Sequence, residues 1–312
     1  MTRQAANGPL RKQNDLVILA DLDGTMIERG ADVPDGGGEL VAFAQRSYAT
    51  LIVISARPVD ELARQFVDCS PIKIVVGSGG GVVARVEGGV IKTILREIVL
   101  TSTQDFPLLR ALTTLRSSAV LFAFGAWKSS FRVSVLLQGG HLSHRALSTI
   151  IGTRPWQIVA DHEFHSIVRH EQLLGVSVLS ESGPDLLLDH MVGSDISPGW
   201  RWAVYPEYRF KGHTWLEILP QQANKASAAD FVLTDILGVK GPDTVVAIGD
   251  SPEDIGMFTL ASRSFCPNTA ASQVLEAAST VISSKGGPEF IQALVSRLER
   301  ETSSDSSNAI RG

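Results

Sequence analysis

The chain lacks most of what would staple it, anchor it or draw it to a polyanion. Only two cysteines, Cys69 and Cys266, occur in 312 residues. They stand far apart and read as two buried thiols of a reducing compartment, not as a disulfide framework. No apolar run approaches the ~20 residues that span a bilayer. The opening MTRQAANGPLRKQND is polar and has no apolar segment of the kind a secretory signal carries. There is no basic block either: 28 Lys and Arg stand against 33 Asp and Glu, a net charge of −5. That balance argues against nucleic acid and against an anionic membrane surface as partners, and a cytoplasmic protein is expected. Internal repeats are absent. Low-complexity text is confined to the ends, and 1–14 and 301–312 are expected to be disordered tails.

The chain does have enough apolar text, 44% of its residues, for one large core or two ordinary ones. From Leu16 to about Gly80 short apolar runs alternate with helical spacing: LVILA, then GELVAFAQRSYAT with Leu40, Phe43, Ala44 and Ser47 on one face, then LIVIS, VDELARQFVDC and IKIVVGSGGG. Continuous apolar strands separated by helices predict a parallel sheet covered on both faces. The same rhythm returns near the end, in NKASAADFVLTDILG, TVVAIGD, PEDIGMFTLA, RSFCPN, TAASQVLEAAS, TVISS and PEFIQALVSRLERE. The fold class expected is therefore α/β, a doubly wound parallel-sheet core of the Rossmann-like kind, built from 15–81 and 212–300.

The middle differs. All five Trp and all seven His fall between Trp127 and Trp215. AVLFAFGAWKSSFRVSVLLQ, WQIVADHEFHSIVRH and WRWAVYPEYRF read as strands, and DFPLLRALTTLRSS and LSHRALSTIIG as helices. This composition shift predicts an inserted α+β domain over 82–211. His162 and His165, three apart, would face opposite ways on a strand, which speaks against a zinc site. Half or more of the Trp set is expected to fill this domain's own core.

Four short stretches carry the chemistry. DLDGT places Asp21 and Asp23 at the tip of a buried strand, where like charges repel unless a cation sits between them or one is protonated. Magnesium, with oxygen ligands, relieves the repulsion. One Asp then serves as a metal-bound nucleophile and the other as acid and base. Gly24 permits the tight departure and Thr25 can bond the turn. SAR puts the Ser55 hydroxyl at the tip of the second strand, with Arg57 behind it. Lys225 opens a helix after Asn224, against the helix dipole, so it reads either as a solvated surface lysine or as a cation with a phosphate and carboxylates nearby. In GDSPED, Asp250 ends a strand and Asp254 follows one helical turn later, so both can face one cation. Glu253 and Asp254 would also complement the helix dipole without any metal.

In this order the four stretches resemble the motifs of the haloacid dehalogenase superfamily of phosphohydrolases. The likeness covers the first ~80 and last ~100 residues, with the middle matching in outline. It implies that Asp21 attacks phosphorus and forms an aspartyl-phosphate, that Asp23 is the general acid/base, and that Ser55, Lys225 and the Gly24 turn hold the phosphoryl group. It implies Mg2+ on Asp21, the Asp23 backbone carbonyl and Asp250, with Asp254 a ligand through water or an outer partner. The second Asp of the first motif sets the chain apart from the superfamily's dehalogenases. An insertion between the second and third motifs resembles the large-cap branch of sugar phosphatases, where the cap chooses the substrate; Arg57, Trp215 and Glu217 are the residues picked out for substrate contact. The expected function is a Mg-dependent phosphatase of a small phosphorylated metabolite, a sugar phosphate. A phosphomutase or phosphotransferase, or a non-catalytic sugar-phosphate sensor, fits the same motifs. The sequence departs from the family pattern at Ala56, where glycine is usual, at Glu253, where Asn or Asp is common, and at Gly79–Gly81, where the usual turn is NGA.

Overall fold

The structure, a computed structural model, describes residues 16–34, 38–67, 69–100, 119–129, 132–138, 144–151, 155–181, 199–207 and 212–308. The chain divides into two compact units, one from the residues up to Arg96 together with those from Asn224 onward, the other from Glu97–Ala223.

The first unit opens with β1 (Val17–Asp21), helix α1 (Gly38–Arg46), β2 (Thr50–Ile54), helix α2 (Val59–Gln65), β3 (Ile74–Gly77), β4 (Val82–Glu87) and β5 (Val90–Glu97). The second unit supplies β6 (Ala119–Gly125), β7 (Val133–Gln138), helix α3 (His144–Ile151), β8 (Trp156–Ile158), helix α4 (Asp161–His170), β9 (Leu173–Ser180), β10 (Trp200–Pro206) and β11 (Thr214–Pro220). The chain then completes the first unit with helix α5 (Lys225–Phe231), β12 (Val245–Ile248), the short helix α6 (Ile255–Phe258), β13 (Arg263–Pro267), helix α7 (Ser272–Ala277), β14 (Thr280–Ile282) and helix α8 (Pro288–Asn308).

The first unit's sheet runs β14-β13-β12-β1-β2-β3-β4-β5. The six strands from β14 to β3 are parallel to their neighbours, and β4 turns back antiparallel on β3. All residues of β1, β3 and β12 are buried, the pattern of central parallel strands covered on both faces. Val17, Leu19, Ile52, Ile54, Val76, Val245 and Ala247 pack with Ala228, Ala229 and Val232 of the segment that begins with α5. Strand order reverses between β1 and β12, so the crevice beyond their carboxyl ends is the switch point at which such sheets bind ligands. Both cysteines are buried and neither is in a disulfide, Cys69 before β3 and Cys266 within β13. Burial, and then Asp250, push the Cys266 thiol up to about 11, which leaves it unreactive.

The second unit is a six-stranded sheet, β10-β11-β9-β6-β7-β8, antiparallel except for the β7–β8 pair. One face packs Leu121, Val176 and Val178 with Phe164 and Val168 of α4. The other packs Phe122, Val135 and Trp215 with Leu147 and Ile151 of α3.

The structure departs from the sequence expectation in three places. The inserted unit starts and stops later than 82 and 211, because β4 and β5 extend the first unit's sheet and do not leave it. The run DHEFHSIVRH is helix, not strand. Phe164 and Val168, four apart, bury one face, Glu163 bonds back to the Ala160 amide at 2.9 Å, and the acidic first turn and basic last turn suit the dipole. His162 and His165 are therefore three apart on a helix, and no metal-binding group forms around them among the described residues. The expected tail from 301 is helical as far as Asn308, since no Gly or Pro interrupts α8 and each further residue adds one backbone bond. The helix expected at DFPLLRALTTLRSS and the tail 1–14 lie outside the described residues. No described helix is long and apolar enough to cross a membrane.

Candidate active site

Asp21 is the last residue of β1 and Asp250 lies two residues past β12, its parallel neighbour, so both carboxylates arrive at the switch point. Asp21 is only 4% exposed. Its Oδ1 accepts a 2.6 Å hydrogen bond from Lys225 Nζ, while Oδ2 is buried with no hydrogen-bond partner. Burial, reinforced by Asp254 and opposed by Lys225, raises the Asp21 carboxyl to about 8.

Lys225 opens α5, after an Asn224 side chain that caps the helix by accepting from the Ser227 amide at 2.8 Å. Its ammonium also donates to Asp254 Oδ1 at 2.6 Å, so one buried cation joins two carboxylates from different elements. Burial alone would lower the pKa of Lys225; the Asp21 and Asp254 charges outweigh it and hold the group above its ordinary value. The start of α5 is fixed by a close approach. Gly80, at φ +98, lies against the Asn224 carbonyl with no space for a Cβ, so the GGG turn is needed where it touches the lysine helix.

Asp254 is fully buried, and its second oxygen accepts from the Asp250 and Ser251 amides and the Ser251 hydroxyl at 2.8–3.0 Å. Helix-start geometry and site geometry thus coincide in this residue: it caps the 3-10 turn Pro252–Asp254 and faces Lys225. One carboxylate oxygen from each of Asp21, Asp250 and Asp254 lies within 4.8 Å of the other two. Asp250 also receives the Thr25 hydroxyl at 3.4 Å and the Arg29 guanidinium. Burial raises its carboxyl above the usual range although Arg29 pulls the other way.

Asp23 faces differently. Arg57 donates to both its oxygens, from Nε at 2.8 Å and Nη2 at 2.6 Å, and the Gly30 amide donates to Oδ1 at 3.2 Å. Arg57 also holds Ala31 O and Glu61, so it ties the loop after β1 to α2. Ser55 is buried one residue past β2, and its hydroxyl accepts from the Arg57 amide at 3.1 Å. Gly24 takes φ +88 beside Asp250; a Cβ there would collide with Asp250 Oδ2. Gly286 backs onto the Gly24 carbonyl and Gly287 N donates to Thr25 O at 3.0 Å, so the loop after β1 is braced from behind.

Of the residues picked out from the sequence, Asp21, Lys225, Asp250 and Asp254 form one buried group, Gly24 abuts it, and Asp23 and Ser55 both bond Arg57. Arg29 was missed: it belongs to none of the four stretches, and no local pattern marks it. Trp215 and Glu217 belong to the second unit. Trp215 is buried against Phe122, ring centroids 5.2 Å apart, and its indole donates to the buried Glu207 at 2.6 Å. Glu217 is half-buried on β11 between Ala203 and Ser177. Trp215→Phe, which takes away the indole donor, should therefore destabilise this unit by about 1–3 kcal/mol, visible as a lower thermal midpoint. A residue used only for substrate contact would change KM and leave the midpoint in place.

A family model described as haloacid dehalogenase-like hydrolase matches residues 201–286, the span that holds Lys225, Asp250 and Asp254. No match to the sequence was found among curated proteins. Solved structures share the fold. A sugar phosphatase of haloacid dehalogenase subclass IIB is 14% identical, with a TM-score of 0.67 over 92% of this chain and 99% of its own. A haloacid dehalogenase-like hydrolase from Bacteroides thetaiotaomicron is 18% identical, with a TM-score of 0.67 over 91% and 99%. A protein from Streptococcus mutans is 16% identical, with a TM-score of 0.69 over 93% and 99%. The family match thus covers the second half of the site, residues 201–286, and the solved structures show the fold that the chain shares with them.

Proposed function

We propose that the chain is a magnesium-dependent phosphatase of a small sugar phosphate, working through an aspartyl-phosphate on Asp21. The observation that carries this reading is the Asp21 carboxylate itself: buried at a strand tip, one oxygen steadied by Lys225, the other without a partner, with two further carboxylates within reach. An all-oxygen donor set around an unpaired buried oxygen suits a hard dication. The residues that would hold it are Asp21, Asp250 and the Asp23 backbone carbonyl. Asp254, with both oxygens engaged, instead orients Lys225 and the Asp250 segment. A bound dication would polarise the phosphoryl group and offset the carboxylate charges.

In this reading an Asp21 oxygen forms a bond to phosphorus as the bond to the leaving oxygen breaks, and Asp23 gives that oxygen its proton. Water then attacks phosphorus, Asp23 takes the proton, and the acyl-phosphate bond opens to release inorganic phosphate. Lys225 stays beside the reacting carboxylate throughout, where a fixed cation favours the charge that gathers on phosphoryl oxygens. Because Arg57 occupies both Asp23 oxygens, that ion pair must open before Asp23 can serve the leaving group. The Ser55 hydroxyl accepts one backbone amide and keeps its proton to offer a phosphoryl oxygen.

The test is phosphate release from a panel of sugar phosphates by metal-stripped protein. Turnover should appear on adding magnesium and fall to background with chelator. No release from any panel member at saturating magnesium would defeat the reading, and isomerised sugar phosphate without free phosphate would replace it with a mutase.

A further inference from the structure

Asp250 already has a cation of its own. The Arg29 guanidinium donates through Nη2 to Asp250 Oδ2, and its Nε end lies alongside Gly24. The loop that delivers Arg29 is held by its own backbone bonds: the Met26 and Ile27 amides donate to Leu22 O at 2.9 and 3.0 Å, and Gly24 N donates to Ile27 O at 2.8 Å. The pair is unequal in burial. The Arg29 side chain is 41% exposed, that of Asp250 7%. Lys225, by contrast, is enclosed and shared by two carboxylates, and Arg57 pairs with Asp23 on the other side of the turn. Arg29 is thus the cation at this group that can withdraw toward solvent without unpacking the core.

We propose that Arg29 is a positioning residue that holds Asp250 until a dication takes that oxygen, a built-in competitor that sets how tightly the site takes metal. The inference rests on the reading of Asp21 and Asp250 as metal ligands. Two cations at one carboxylate oxygen repel strongly where burial keeps water from screening them. Metal binding must therefore give up the Arg29–Asp250 contact, and its cost is subtracted from metal affinity. The sign of the effect separates this from a purely structural role. If Arg29 merely propped Asp250 in place, its loss would weaken metal binding; as a competitor, its loss strengthens it.

The experiment titrates magnesium into the metal-stripped full chain without substrate, read by calorimetry and by the rise in thermal midpoint. Arg29→Ala should bind about tenfold more tightly than wild type, the scale of one charge-assisted hydrogen bond no longer lost. Arg29→Lys, which keeps the charge, should stay near wild type. Arg29→Gln keeps the reach without the charge and should follow alanine, which preserves the test if the alanine variant does not fold. Equal or weaker binding by the neutral variants, with wild type still binding magnesium, overturns the Arg29 proposal and leaves the phosphatase reading intact. No magnesium binding by any of the proteins overturns both.

Discussion

Asp21→Asn is expected to lower phosphate release by about 10⁴-fold or more while the protein stays folded. The amide keeps the size of the carboxylate, and its oxygen can still accept from Lys225. What it loses is the nucleophile, because the partnerless Oδ2 position then carries either an amide nitrogen or a neutral oxygen. The fold should tolerate the change well. Burial and the neighbouring Asp254 already work against an ionised Asp21, so a neutral side chain relieves a strain that the native carboxylate bears. The thermal midpoint of the metal-free variant should match or exceed that of the wild type. A variant that kept a tenth of the native rate would mean that Asp21 is not the attacking group, whatever its geometry.

Lys225→Met is expected to be the most destabilising single change in the site. Methionine fills a similar volume but removes the one ammonium that lies 2.6 Å from both Asp21 and Asp254. Two carboxylates buried to 5% and 0% side-chain exposure then face each other without that cation. Breaking a buried ion pair from one side costs about 3–5 kcal/mol. In a protein of this size that is a fall in thermal midpoint of roughly 10 °C, measurable by circular dichroism. Lys225→Arg should not restore the midpoint, because a planar fork cannot take the place of a compact ammonium between two carboxylates. Added magnesium should recover part of the loss in the methionine variant, since it brings positive charge to the same group. A midpoint within two or so degrees of wild type would show that Asp254 and Asp21 do not depend on Lys225.

The two predictions draw on parts of the molecule that were unequally visible in the sequence. Asp21 stood out because a buried apolar run that ends in an acid is a local anomaly, and the anomaly lies in five neighbouring residues. Lys225 was visible as a violation, a cation at a helix start, although its two partners lie 204 and 29 positions away. Arg29 gave no such sign: its partner is 221 positions along the chain, and an arginine in a polar loop breaks no local rule. The misread DHEFHSIVRH shows the opposite failure. Its apolar positions are few, and only packing of Phe164 and Val168 against the second sheet decides that the period is helical.

By itself, the sequence determined the parallel sheet, the order of its acidic and basic tips, and the presence of an inserted unit of different composition. These follow from apolar runs, helical spacing and chain breakers, all properties of residues near one another in the chain. The tertiary structure alone decided which cation meets which carboxylate: Lys225 between Asp21 and Asp254, Arg29 on Asp250, Arg57 on Asp23. Those pairings follow from the strand order that sets β12 and β2 on either side of β1, and strand order is fixed by how helices pack on the two faces of the sheet, a sum over distant contacts that no short window of sequence contains.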